Sequence, residues 1–99
     1  MLIDDAQLVI DVGKKMLELG GYQLTDFLDP IKALEHFSHQ PQEFDLVMSD
    51  FEMPGMSGKE LAKQMKAIRP DIPIVLVTGY VELVSNEDMS SWGIEGLLV

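Results

Sequence analysis

The sequence predicts an α/β fold, a parallel sheet with helices on both faces. Three observations carry that expectation. Short apolar runs alternate with segments of helical period along the chain. Two of these runs, Leu46-Val47-Met48 and Ile74-Val75-Leu76-Val77, are unbroken, as strands covered on both faces tend to be. Gly, Pro, Ser and Asp stand between the runs as turn and cap residues. Strand and helix in alternation require crossover connections, and crossovers make neighbouring strands parallel.

Each element follows from its own residues. Met1-Leu2-Ile3 reads as the last half of a buried strand that exits at Asp4-Asp5, short against the usual ~5–6 residues. From Ala6 to Leu19 the period is helical. Leu8, Val12 and Met16 share one face with Val9 and Leu19 beside it, and Gly20-Gly21 ends the helix. Tyr22 to Leu28 is a partly alternating segment suited to a strand near the sheet edge. Asp29-Pro30 supplies an N-cap and a first-turn proline to a helix whose stripe is Ile31, Leu34 and Phe37, closed by Gln40-Pro41. The strand around Leu46-Val47-Met48 stops at Asp50, and the turn residues Met53-Pro54-Gly55 and Ser57-Gly58 lead into a helix over Lys59 to Ile68. Ile74 to Val77 is the strongest strand signal and terminates in Thr78-Gly79. A short helix is expected from Ser85 up to Gly93, and Gly96 to Val99 begins a further strand. Neither a repeat nor a linker interrupts the chain, so one domain over residues 1–99 is expected.

Composition narrows the function classes. A chain of 99 residues that is 46% hydrophobic and 24% charged is ordinary globular material. A net charge of −10 disfavours nucleic acid, whose phosphates demand a basic face, and suits a cation or a basic protein surface. With no cysteine, disulfides, zinc-thiolate sites and thiol nucleophiles are excluded. No apolar run approaches the ~18–20 residues of a membrane span, and a cytoplasmic location is expected.

Chemistry concentrates at the strand exits, where α/β sheets place their ligands. Asp4 and Asp5 follow the first strand and Asp50 follows the third. On neighbouring strands, ~4.8 Å apart, such carboxylates repel unless a cation joins them. Mg²⁺ takes oxygen ligands, typically one or two carboxylates with water and substrate phosphate, and matches this donor set. A carboxylate beside Mg²⁺ can also act as a nucleophile toward a phosphoryl group. Thr78, ending the strongest strand, would offer a hydroxyl to a phosphoryl oxygen. Taken singly, each residue has a plainer reading. Asp50 fits a turn, Asp4-Asp5 fits an N-cap of the first helix, and Thr78 fits strand-end chemistry. His36 and His39 read as solvated, Met48, Met53, Met56 and Met65 as packing, and Lys59, Lys63 and Lys66 as a solvated helix face.

Four segments together, LIDD, DLVMSDFEMPGMSG, PIVLVTG and GIEGLLV, resemble the receiver domain of two-component response regulators and hybrid sensor histidine kinases over essentially the whole chain. The segment from Thr78 to Val99 is most similar to receivers attached to hybrid kinases. The resemblance implies a flavodoxin-like five-stranded sheet of order 2-1-3-4-5. It implies a phosphorylation-dependent signalling switch in a two-component phosphorelay, fed by a histidine kinase or phosphotransfer protein. Asp50 would be the phosphoacceptor and Thr78 the switch hydroxyl. Asp5, Asp50 and the backbone carbonyl of Glu52 would ligate Mg²⁺, with Asp4 acting through water, while Pro54 and Gly58 would shape the loop after the acceptor.

The pattern departs from the family in three places. The lysine-proline pair expected after the last strand, and the final helix, would lie beyond Val99, so a domain truncated at both ends is expected. Leu97 stands where many receivers have an aromatic switch residue, and Ala6 where an acid is frequent. The competing expectation is a degenerate receiver that binds a protein partner without phosphate. A Mg²⁺-dependent phosphohydrolase, with Glu52 as general base two residues past the nucleophile, is the remaining alternative. On the favoured reading the only catalysis is formation and loss of the chain's own aspartyl phosphate. A homodimer is compatible with the sequence; nucleic-acid and membrane contacts are not expected.

Overall fold

A computed structural model describes residues 1–77 and 96–98. In chain order the elements are β1 (Leu2–Ile3), α1 (Gln7–Leu19), β2 (Asp26–Phe27), α2 (Pro30–His39), β3 (Val47–Asp50), α3 (Gly58–Ile68), β4 (Ile74–Val77) and β5 (Gly96–Leu98). Every strand pair is parallel, and the order across the sheet is β2-β1-β3-β4-β5, as the resemblance implies. Thr78 and the helix expected between Ser85 and Gly93 lie outside the described residues.

Alternation along the strands divides the core. Ile3, Val47, Ile74 and Leu76 point to one face, where they are sealed by Ala33 and Phe37 of α2 and by Leu61, Ala62 and Met65 of α3. Fully burying an aliphatic or aromatic side chain contributes roughly 1.5–3 kcal/mol, so this layer dominates the stability. Leu2 points to the opposite face, where its side chain lies against Gly13 of α1.

The helix ends follow the capping residues. Asp29 accepts a hydrogen bond of 2.9 Å from the Ile31 amide, with Pro30 in the first turn of α2. Ser57 caps α3 by accepting from the Glu60 amide at 3.2 Å. Asp29→Ala is expected to cost about 1 kcal/mol, read as a lower urea midpoint with an unchanged slope.

Several expected faces are corrected. On α1, Leu8, Val12 and Met16 are 75%, 51% and 69% exposed, whereas Ile10 is fully buried. That helix packs against the sheet through the side carrying Ile10 and Gly13, so the more apolar stripe points away. On α2 the buried residues are Pro30, Ala33 and Phe37; Leu34 is half-buried and Ile31 is exposed, because α2 turns its Ala33 side toward α3 and the sheet. Leu61 and Met65 are buried as expected, while Ile68, at the last position of α3, is exposed. Leu46 lies outside the ladder and is exposed, with β3 beginning at Val47. The strand expected over Tyr22 to Leu28 contracts to Asp26–Phe27, which pair with Leu2 and Ile3 of the equally short β1.

Arg69 fastens the loop after α3 to the loop before β3. Its guanidinium donates to the Pro41 and Phe44 carbonyls and pairs with Asp71 at 3.1 Å. With Ile72 buried beside it, this clasp holds the loop that leads into β4.

Candidate functional site: an acidic rim at the strand ends

Register brings the acids together. Ile3 pairs with Ser49 across β1 and β3, so the next residue on each strand, Asp4 and Asp50, emerges at the same rim. Carboxylate oxygens of Asp4, Asp5 and Asp50 all lie within 4.8 Å of one another. Asp4 is buried, Asp5 exposed and Asp50 half-buried, a gradient from the sheet outward to solvent.

Each carboxylate is held differently. An Asp4 oxygen accepts from the Ala6 amide at 2.9 Å, and Ala6 is the residue that precedes α1. That bond turns the chain between β1 and the helix, while no side chain caps α1 itself, so the simple N-cap reading of Asp4-Asp5 is not realised. Asp50 Oδ1 accepts from the Phe51 amide at 3.0 Å, and the same amide donates to the Val77 carbonyl at 2.9 Å. Ser49, also buried, donates its hydroxyl to the Asp50 carbonyl at 2.9 Å.

Burial and mutual repulsion both act on the acids of this rim. Burial pushes the Asp50 carboxyl up to about 6, helped by the charge of Asp4 and, less, by those of Asp5 and Glu52; the Phe51 amide opposes the shift. Asp4 is raised as well, first by burial and then by Asp5, against the pull of the Ala6 amide. Three carboxylates this close are costly when all are ionised, and a hard cation relieves the cost with the oxygen donors they offer. The donor set therefore fits Mg²⁺.

The loop after Asp50 is shaped by backbone. Gly55 has φ of 87°, a conformation glycine adopts without strain. The Gly58 amide donates to the Phe51 carbonyl at 2.8 Å and closes the loop onto the start of α3. A Cβ on Gly58 would fall on the Asp50 carbonyl oxygen, so α3 approaches β3 too closely there for any side chain.

Of the residues singled out from sequence, Asp4, Asp5 and Asp50 are thus brought to one rim. Glu52 is exposed in the adjoining loop, its charge acting on Asp50. Thr78 is outside the described residues; the strand before it ends at Val77, which pairs with Asp50. Sequence reasoning missed the Phe51 amide, since a backbone donor leaves no trace in residue type. It also missed Ser49, which did leave a signal as a polar residue in a run otherwise apolar from Leu46.

The sequence model of the response regulator receiver domain matches residues 1–99. The chain belongs to that family. It is 38% identical over 74 residues to the response regulator receiver protein CpdR of Brucella abortus, an alignment covering 75% of this chain and 60% of CpdR. Among solved structures, the response regulator protein TrrA of Thermotoga maritima in complex with Mg²⁺-BeF superposes with a TM-score of 0.85 at 32% identity, covering 99% of this chain and 82% of that one. TrrA in complex with the histidine kinase ThkA gives a TM-score of 0.82 at 33% identity, with 99% and 81% covered. The chain spans less than two thirds of the length of the first curated receiver relatives it matches. Among the described residues of this receiver, no helix is long and apolar enough to cross a membrane.

Proposed function

We propose that this receiver is a phosphorylation-dependent switch that takes a phosphoryl group onto Asp50 from a phosphohistidine on a histidine kinase or phosphotransfer protein. The observation that carries this reading is the convergence of Asp4, Asp5 and Asp50 within 4.8 Å at the strand ends. Complexes of TrrA with Mg²⁺-BeF and with a histidine kinase support the kind of ligand and partner.

In the transfer, an Asp50 oxygen attacks phosphorus, an O–P bond forms, and the N–P bond of the donor breaks. The imidazole leaves and collects a proton from solvent. Asp5, Asp50 and the Glu52 carbonyl would hold Mg²⁺, with Asp4 acting through water; when bound, the ion supplies positive charge for the transferring oxygens. The protein's own contribution is orientation, since the Phe51 amide fixes one Asp50 oxygen and leaves the other for attack. A phosphoryl group adds roughly −1.5 to −2 charges at neutral pH by analogy with phosphoserine. Thr78 is assigned the hydroxyl that answers that charge, carrying the change toward a partner-binding surface.

The test is incubation with a small acyl phosphate, with and without Mg²⁺, followed by intact-mass measurement. The expected result is the mass of one phosphoryl group, dependent on Mg²⁺ and released by hydroxylamine as acyl phosphates are. Mg²⁺ binding without any phosphoryl gain, from either the small donor or a phosphorylated histidine kinase, would favour the degenerate, phosphate-independent receiver instead.

A further inference from the structure

We propose that the Ser49 hydroxyl is a positioning group for the acceptor carboxylate, acting through the peptide unit between Asp50 and Phe51. The inference rests on the reading of Asp50 as phosphoacceptor and adds a residue to that site.

Ser49 is 1% exposed in β3, flanked across the sheet by Ile3 and Leu76, both fully buried. A hydroxyl in such surroundings is costly unless hydrogen-bonded. Its bond is to the Asp50 carbonyl at 2.9 Å, and since a carbonyl can only accept, the hydroxyl is the donor.

The Asp50 carbonyl and the Phe51 amide belong to one planar, trans peptide unit and point in opposite directions. Fixing the carbonyl therefore fixes where the amide points. That amide is the donor Asp50 Oδ1 uses, at 3.0 Å, while it also reaches Val77 on β4 at 2.9 Å. Ser49 grips one end of the plane and the acceptor carboxylate is gripped by the other. A rotation of this peptide would swing the amide away from Oδ1 and free the carboxylate to turn.

The experiment compares Ser49→Ala, which deletes the donor, with Ser49→Thr, which keeps it. Ile72→Val, a core truncation remote from the rim, is the control for lost stability alone. The first readout is the Phe51 amide in metal-free protein, by ¹H–¹⁵N chemical shift and hydrogen exchange. The second is the phosphorylation rate with a small acyl phosphate at saturating Mg²⁺. Ser49→Ala is expected to move the Phe51 resonance, speed its exchange and slow phosphorylation about three- to tenfold, as the loss of one net hydrogen bond would. Ser49→Thr should restore both readouts, and Ile72→Val should leave both unchanged. An unmoved Phe51 amide in Ser49→Ala, or equal changes in Ile72→Val, would overturn the proposal. If the wild type takes no phosphoryl group while its Phe51 amide still responds to Ser49→Ala and recovers in Ser49→Thr, the phosphoacceptor reading fails and the positioning of the carboxylate stands.

Discussion

Asp50→Asn is expected to abolish Mg²⁺-dependent phosphoryl gain and, without metal at neutral pH, to make the protein more stable. The first effect is chemical, because an amide oxygen is a poor nucleophile and Asn brings no charge to a cation site. The second follows from linkage. The Asp50 carboxyl titrates at about 6 in the folded chain, against an ordinary value of 3.8. An acid raised on folding contributes stability that is fully present below its unfolded pKa and is lost as pH rises through the folded one. The wild type should therefore weaken relative to Asp50→Asn between about pH 4 and pH 6, and the two should converge below that window. Asp50 is only half-buried, so solvent screening reduces the gap to on the order of 1–2 kcal/mol at pH 7. Mg²⁺ should then reverse the order, since a ligand that binds only the folded wild type stabilises it by mass action. Urea unfolding of both proteins at pH 4 and pH 7, with and without Mg²⁺, reads all of this. A wild type that tracks Asp50→Asn across the acid window would remove the electrostatic account of the rim. Phosphoryl gain by Asp50→Asn would move the acceptor elsewhere.

The rim was legible in the sequence because its acids sit where apolar runs stop. Asp4-Asp5 after Leu2-Ile3, and Asp50 after Val47-Met48-Ser49, needed only a parallel register to meet, and that register is Ile3 opposite Ser49. The start of α2 was equally legible, since Asp29 and Pro30 specify a helix start by local geometry, whatever the tertiary setting. The buried side of α1 was not. Its apolar residues outnumber what one packed face requires, and periodicity shows that a stripe exists without showing which stripe meets the sheet. There Gly13 decided the matter, because the Leu2 side chain leaves only 3.1 Å to the place a Cβ would take. The central peptide of the site was also hidden. The grip on Asp50 comes from the Phe51 amide, and the closeness of α3 comes from a hydrogen in place of a side chain at Gly58.

Gly58→Ala should therefore cost more than alanine at any other described glycine. Gly58 is the first residue of α3 and its φ is not positive, so backbone conformation does not demand glycine here. Contact does. The new Cβ would overlap the Asp50 carbonyl oxygen and stand 3.1 Å from both the Phe51 Cα and the Leu76 Cδ2. Two of these three neighbours are backbone and cannot rotate aside, so α3 must lift from β3 or the loop after Asp50 must shift. Either movement strains the 2.8 Å bond from the Gly58 amide to the Phe51 carbonyl. Overpacking of this kind costs about 1–3 kcal/mol, and the rigid neighbours place Gly58→Ala at about 2–3 kcal/mol. In a domain of this size that lowers the melting temperature by roughly 10–20 °C. Phosphorylation should fall too, because the displaced atoms include the carbonyl of Asp50, the proposed acceptor. Gly21→Ala is the matched control. Its φ of 87° makes alanine strained, but a Cβ there meets nothing within 4 Å, so the cost should stay near ~1 kcal/mol and the phosphorylation rate should not change. A Gly58→Ala protein that melts with the wild type and takes up phosphoryl at the same rate would mean that the start of α3 stands farther from Asp50 than the structure has it.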